Sequence, residues 1–323
     1  MGAPEPAPTK PKQDTRLREK VTDDGEVRRR PGSFRFTLYF TLVYDPHHGD
    51  QERSGMDDIQ FDPLFGAAPD EIPLPSAPLV SVLCQVRFAE IVSIQQKSFI
   101  AGFQECVRSD YPLLLDEKVR TLDVNDGRST TSEDSVWRFF NEARTWRLTL
   151  TSNFLALETR KYVSRVDFIE RLEKIVKGAI DTVKPTHVTR IGVRYIDRVA
   201  LNEGITLHGM LREEMMGITG LLNRENVLHS ISEVVCRVKE GQMMTRWGVL
   251  PERGTHDAEV MPPISSPSWF LDLDTFVDHQ LAPVRFEADM IRTTALELAT
   301  RSYCFFRWAV TNKFLKTFGG ASG

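Results

Sequence analysis

The shortest connections constrain this chain most. Two strand-like runs, residues 145–150 and 154–162, are separated by little more than Ser152-Asn153. Two more, 231–238 and 242–250, meet at Lys239-Glu240-Gly241. Connections this short join antiparallel neighbours, because a parallel pair needs a crossover of a dozen or more residues. In the first pair Trp146, Leu148 and Leu150 alternate, the period of a strand with one buried face. Any fold for this chain therefore contains antiparallel hairpins.

The remaining pattern from Ala77 onward places helices between those hairpins. Residues 79–88 form a buried strand opened by Leu79-Val80-Ser81-Val82-Leu83, and 94–108 form a helix closed before Pro112. A strand follows at 119–124. Ser164-Arg165-Val166-Asp167 has capping-box spacing, and Phe168, Leu172, Ile175, Ala179 and Val183 then mark one helical stripe. A long strand at 188–201, a short one at 269–273 and a long helix at about 285–310 complete the order, with Thr311 capping a last short helix. Hairpins interleaved with helices give an α+β fold: mainly antiparallel sheet, strand–helix–strand and hairpin units, and the long C-terminal helix packed on the sheet.

Ahead of Ala77 the composition changes. Residues 1–33 carry five prolines and many charges, and no aromatic residue precedes Phe34, which predicts disorder. Residues 34–44 alternate like a strand that has no adjacent hairpin partner, and 51–75 are rich in Asp, Gly and Pro. The expected organisation is a leader at 1–55, disordered or the product of an over-long gene call with translation starting at Met56. An extended linker at 56–76 and a globular domain at 77–320 follow, the latter divisible at about 77–205 and 206–320.

Apolar residues at 41% and charged residues at 27% suit a globular chain. A net charge of −4 argues against a chain-wide grip on nucleic acid. No apolar run reaches the roughly 18–20 residues that span a bilayer, and the start has no secretory h-region. The expectation is a soluble cytoplasmic protein with no membrane partner. Cys84, Cys106, Cys236 and Cys304 are scattered and lack zinc-ligand spacing, so reduced thiols are expected, those of Cys84 and Cys236 within apolar runs. The seven histidines show no paired metal-ligand spacing. The phosphate-loop, dinucleotide, zinc-protease, nucleophile-elbow and EF-hand patterns are all missing, and no cofactor is implied.

Three constellations remain. Arg190, Gly192, Arg194 and Arg198 share one face of a strand, successive arginines of that face lying roughly 13 Å apart. That spacing suits backbone phosphates, with Gly192 permitting close approach and Arg147 and Arg160 as further contacts. The structural alternative is pairing with carboxylates across the sheet, Glu158 among them. Asp272 and Asp274 also share a strand face and are candidate ligands for a divalent ion, although a strand end running into an Asp-rich turn explains the same letters. Third, four of the five tryptophans neighbour an arginine, as a stacking platform for single strands would; strand geometry instead points Trp inward and Arg outward.

The chain resembles an uncharacterised family found sporadically in bacteria and archaea. The resemblance spans about residues 72–320 and rests on Ile72-Pro-Leu-Pro-Ser-Ala-Pro78-Leu-Val, Trp146-Arg-Leu-Thr-Leu150, Phe154-Leu-Ala-Leu-Glu158-Thr and Phe168. It continues through Arg190-Ile-Gly-Val-Arg194-Tyr-Ile-Asp-Arg198, Leu271-Asp-Leu-Asp274 and the stretch from Phe306 to Val310-Thr311. Members are typically shorter, in line with a start near Met56. Tyr303 stands where members often carry His, and the resemblance implies no activity.

The leading expectation is a non-catalytic binding protein that docks a protein partner or self-associates. Tyr303, Phe305, Phe306, Trp308 and Phe314 exceed what one helix face needs, and Tyr303, Trp308 and Phe314 are the candidate partner contacts. Nucleic-acid binding through Arg190, Arg194 and Arg198 is the alternative. Metal-dependent hydrolysis at Asp272 and Asp274 ranks below it.

Overall fold

One antiparallel sheet carries the fold in the computed structural model, which describes residues 18–21, 27–28, 61–125, 128–202, 205–220 and 226–320. Its strands are β1 (Arg18–Val21), β2 (Val27–Arg28), β3 (Leu79–Phe88), β4 (Leu113–Asn125), β5 (Arg128–Phe140) and β6 (Trp146–Leu150). They continue as β7 (Phe154–Thr159), β8 (His187–Ala200), β9 (Ser230–Val238), β10 (Gly241–Leu250) and β11 (Ser268–Asp278), with a short β12 (Val284–Arg285) beside β8. The spatial order is β2-β1-β4-β5-β6-β7-β3-β8-β11-β10-β9. The helices are α1 (Lys97–Val107), α2 (Arg165–Thr182), α3 (Glu213–Met216), α4 (Ala288–Ala309) and α5 (Asn312–Thr317). The molecule is α+β, with α4 packed on the sheet.

Alternation explains the layers. On one face Val82, Cys84 and Val86 of β3, Leu155 and Leu157 of β7, and Ile191 and Val193 of β8 point at the helices. They meet the whole predicted stripe of α2, together with Ile291, Ala295 and Leu298 of α4. The α2 cap is the one its sequence specifies: Ser164 Oγ accepts from the Asp167 N–H, which satisfies a donor that the helix cannot. Farther along the same face, Val199, Trp269, Leu271, Leu273 and Met243 pack under Phe305, Phe314 and Leu315. On the opposite face the 251–267 connection lays Val260 and Met261 over Ile196, Leu250 and Phe270.

Several expectations need amending. The strand expected at 119–124 runs from Leu113 to Asn125 and pairs along its whole length with β5, which the pattern did not reveal. The short strand at 269–273 continues to Asp278, and the long helix begins at Ala288, after β12. Within the stretch expected to be disordered, β1 and β2 pair, and β1 adds to β4 through Arg18, Glu19 and Lys20. The expected strand at 34–44 and Met56 lie outside the described residues. Residues 61–76 are fastened to α4: Arg301 donates to the Pro63 and Gly66 carbonyls, and Tyr303 Oη accepts from the Ile72 N–H at 2.8 Å. The sheet runs unbroken across residue 205, since β8 pairs with β3 on one side and β11 on the other.

Candidate functional site

The arginine strand does not face solvent. Arg194 is 7% exposed and holds the 2%-exposed Asp272 in a bidentate pair, Nε to Oδ1 and Nη2 to Oδ2, both at 2.7 Å. Its Nη1 reaches Asp257 at 3.1 Å. Arg190 pairs with Asp274 at 3.0 Å and lies over the Phe276 ring, 4.3 Å from the centroid. Gly192 makes that path possible: a Cβ there would lie 2.8 Å from an Arg190 nitrogen. Arg198 donates to Ser268 Oγ and to the Pro262 and Gly254 carbonyls, which anchors the 251–267 connection.

These contacts correct the phosphate reading of Arg190, Arg194 and Arg198: Arg194 and Arg198 are buried, the half-buried Arg190 is taken up by Asp274 and the Phe276 ring, and all three guanidiniums are engaged within the chain. The metal reading of Asp272 and Asp274 is corrected for the same reason: Arg194 takes both oxygens of Asp272 and Arg190 takes Oδ2 of Asp274. Among the described residues no group of acidic, His or Cys side chains has metal-site geometry. Carboxylate pairing is the right kind of answer, with different partners. Glu158 pairs with Arg147, because Leu83 of β3 stands between Glu158 and Arg194 in that row of the sheet.

His256, which its sequence context does not mark, completes the centre. Its Nε2 lies 2.8 Å from Asp272 Oδ2, and its ring stacks on Phe270 at 4.6 Å. With the proton on Nε2 donated to Asp272, the buried Nδ1, which has no partner among the described residues, is an unused acceptor rather than a stranded donor. Burial alone would raise the Asp272 pKa, but the charge and hydrogen bonds of Arg194, with help from His256, hold it well below the usual carboxylate range. Burial likewise works to lower the Arg194 pKa, and Asp272 and Asp257 overcome it and raise it. The same connection sends Glu259 to Arg138 and Arg147. The network is a clasp that holds a long loop to the sheet.

The aromatic candidates are also turned inward. Phe314 is fully buried, 4.7 Å from Phe318 and 5.8 Å from Phe306 between ring centroids, so it cannot contact a partner in the folded protein. Tyr303 binds the 61–76 segment, and its ring takes the Arg165 and Arg307 guanidiniums. Trp308 lies against Phe305 and under Arg212, which donates to the Trp308 carbonyl. The surplus aromatics of α4 thus cover other parts of the same chain. Trp137 and Trp146 are buried, as strand alternation requires. Cys84 is a core side chain whose thiol is pushed up to about 12 by burial, and all four cysteines are free.

The sheet ends on β9. Among the described residues no strand pairs with β9 on its outer side. Ile231, Val234 and Val235 are 40, 40 and 52% exposed, and Leu228 and Ile218 nearby are exposed as well. Bonding direction follows from the ladder. Val238 and Gly241 flank the tight turn, and 236↔243, 234↔245 and 232↔247 follow at two-residue steps as hydrogen-bonded pairs. The polar backbone groups of Ile231, Glu233, Val235 and Arg237 therefore point away from the sheet. Beyond them the Lys239 N–H donates to the Leu64 carbonyl, so the 61–66 segment closes that end of the edge.

Neither a protein-family model nor a curated protein matches this chain. Among the described residues no helix is long and apolar enough to cross a membrane.

Proposed function

We propose that this chain is a non-catalytic, cytoplasmic interaction protein that receives an extended segment of a protein along the outer edge of β9. The observation that carries the reading is a row of outward-pointing backbone donors and acceptors on β9, with no strand beside it among the described residues and with Ile231, Val234 and Val235 exposed along it. Strand addition takes affinity from main-chain hydrogen bonds and specificity from alternate side chains, and this edge offers both. Native sheets usually blunt such an edge, and one left with exposed β-branched residues is a pairing template. The charged clasp at Arg194 and Asp272 supports the reading from the other side, since its groups are committed to holding the fold. Four free thiols suit a reducing compartment.

Val235→Pro gives a clean test. The Val235 N–H points outward, so proline removes a docking donor while leaving the β9–β10 ladder its bonds. A displayed library of short random peptides panned on the full chain should yield extended, β-branched or aromatic sequences that bind at least tenfold more weakly to Val235→Pro. Selected peptides that ignore the substitution, or no selection at all, would refute the reading.

A further inference from the structure

We infer that a small cleft beside the β5–β6 turn binds an oxyanion, a phosphoryl or carboxylate group, through Arg144, Arg147 and Arg160. The cleft lies far along the sheet from β9 and does not depend on the strand-docking reading.

The turn is built to hold one arginine in place. Asn141 Oδ1 accepts from the backbone N–H groups of Thr145 and Trp146, both at 2.9 Å, and its Nδ2 donates to Thr145 Oγ1 at 3.0 Å. The Arg144 N–H donates to the Asn141 carbonyl, and Arg144 has φ 52°, in the left-handed region that favours glycine. A side chain persists at so strained a position because these bonds fix the turn around it. The Arg144 guanidinium lies over the Phe140 ring, 5.3 Å from the centroid. Among the described residues it has no carboxylate or carbonyl partner.

Two more arginines line the same cleft, and both are held in position. Glu158, 6% exposed, pairs through Oε2 with Arg147, and its Oε1 stands 3.8 Å from Arg160 Nε. Glu259 of the 251–267 connection lies 3.3 Å from Arg147 Nη1, and its carbonyl accepts from Arg160 Nη2 at 3.0 Å. A guanidinium carries five N–H donors, so these contacts orient Arg147 and Arg160 without exhausting them. Thr145 Oγ1 accepts from Asn141, which leaves its own hydrogen to donate.

Size and charge then narrow the occupant. The cleft encloses about 210 Å³. That is below the roughly 300–1,000 Å³ of a drug-sized ligand site, so it suits one small group. Its lining sets Arg144, Arg147 and Arg160 against a single carboxylate, Glu158. Counting Glu259 as a second still leaves the cleft positive. Guanidinium forks match the planar geometry of carboxylates and the oxygens of phosphoryl groups, and such charge-assisted bonds are strong. An anion seated there competes with Glu259 for Arg147.

The isotope-labelled full chain, titrated at low ionic strength with inorganic phosphate and separately with benzoate, tests the site by amide shifts. At least one anion should give saturable shifts centred on Thr145, Trp146 and Arg147. Phosphate alone assigns a phosphoryl group, benzoate alone a carboxylate, and both together an oxyanion site that accepts either. Arg144→Gln and Arg160→Gln should each weaken that binding about fivefold. Glu259→Gln removes the competing carboxylate and should tighten binding by about two- to fivefold, a gain that misfolding cannot imitate. Arg253→Gln, at an 82%-exposed side chain outside the cleft, should leave it unchanged.

No saturable shift with either anion overturns the site. Binding that Arg253→Gln weakens as much as Arg144→Gln, or that chloride displaces equally well, marks an adventitious ion only and overturns it too. A loss of affinity in Glu259→Gln has the same consequence.

Discussion

Asp272→Asn tests whether the clasp is a structural pair. The substitution keeps the shape and removes the charge that faces Arg194, whose guanidinium is buried and makes two 2.7 Å bonds to this carboxylate. Breaking one side of a buried pair costs about 3–5 kcal/mol, because the remaining charge stays in a poor solvent. Asp257 still reaches Arg194 at 3.1 Å, which places the expected loss at the lower end, about 3 kcal/mol. Equilibrium unfolding in urea at pH 7 reads this as a lower midpoint with an unchanged slope. The paired replacement Arg194→Met/Asp272→Leu should recover most of the loss, since apolar residues of similar volume often replace a buried pair at no net cost. The pH dependence has a definite sign. A carboxylate with a depressed folded-state pKa stabilises the fold above its unfolded value, about 3.9, and that contribution fades as pH falls toward the folded value. The gap between wild type and Asp272→Asn should therefore narrow below about pH 4. A single-variant loss under about 1 kcal/mol, or a paired replacement as costly as both single changes together, would refute the pair as the source of the stability.

Asp197 should behave oppositely. Burial pushes its carboxyl up to about 7, so the folded state favours the protonated form, and this stabilisation, complete below about pH 4, is lost as pH rises toward 7. Asp197→Asn should leave stability unchanged near pH 4 and raise it by about 2–4 kcal/mol at pH 8, measured by thermal or urea unfolding. Phe314→Ala should destabilise the whole domain by about 3–5 kcal/mol in urea, as expected for an emptied aromatic core position. Tyr303→Phe removes the acceptor of the Ile72 N–H and the donor to the Asp70 carbonyl, so limited proteolysis within 61–76 should speed up several-fold while the domain core resists. In thiol labelling Cys106 should react first, and Cys84 and Cys304 only on unfolding.

What could be read in advance follows from how local each signal is. The Ser164 cap, the α2 stripe and the tight hairpins depend on residues a few positions apart, and all stand as their sequences imply. β5 did not announce itself because its first half, Arg128-Ser-Thr-Thr-Ser-Glu-Asp, is polar, and of the inward residues Ser135, Trp137 and Phe139 only the last two are apolar. Arg194 finds Asp272 across 78 positions of sequence, and Arg301 finds Gly66 across 235. No spacing rule reaches that far. Asp272 and Asp274 look like a turn or a metal pair until β8 is laid beside β11; only then do Arg194 and Arg190 reach them diagonally across the two strands. The terminal place of β9 among the described strands is equally invisible in 231–238, because it depends on how the rest of the sheet is ordered.

The position of β8 bears on how the protein is made. Its two long ladders are completed at different times: β3 and β7 precede it in the chain, whereas β11 follows roughly seventy residues later. At about 5–20 residues per second, a ribosome needs roughly 4–14 s to cross that interval. During it, the first eight sheet positions, β2 through β8 in spatial order, can assemble, but the side of β8 awaiting β11 stays unpaired, and Arg194 waits for Asp272. A nascent chain paused there presents a 14-residue edge with two uncompensated arginines, a state suited to chaperone capture.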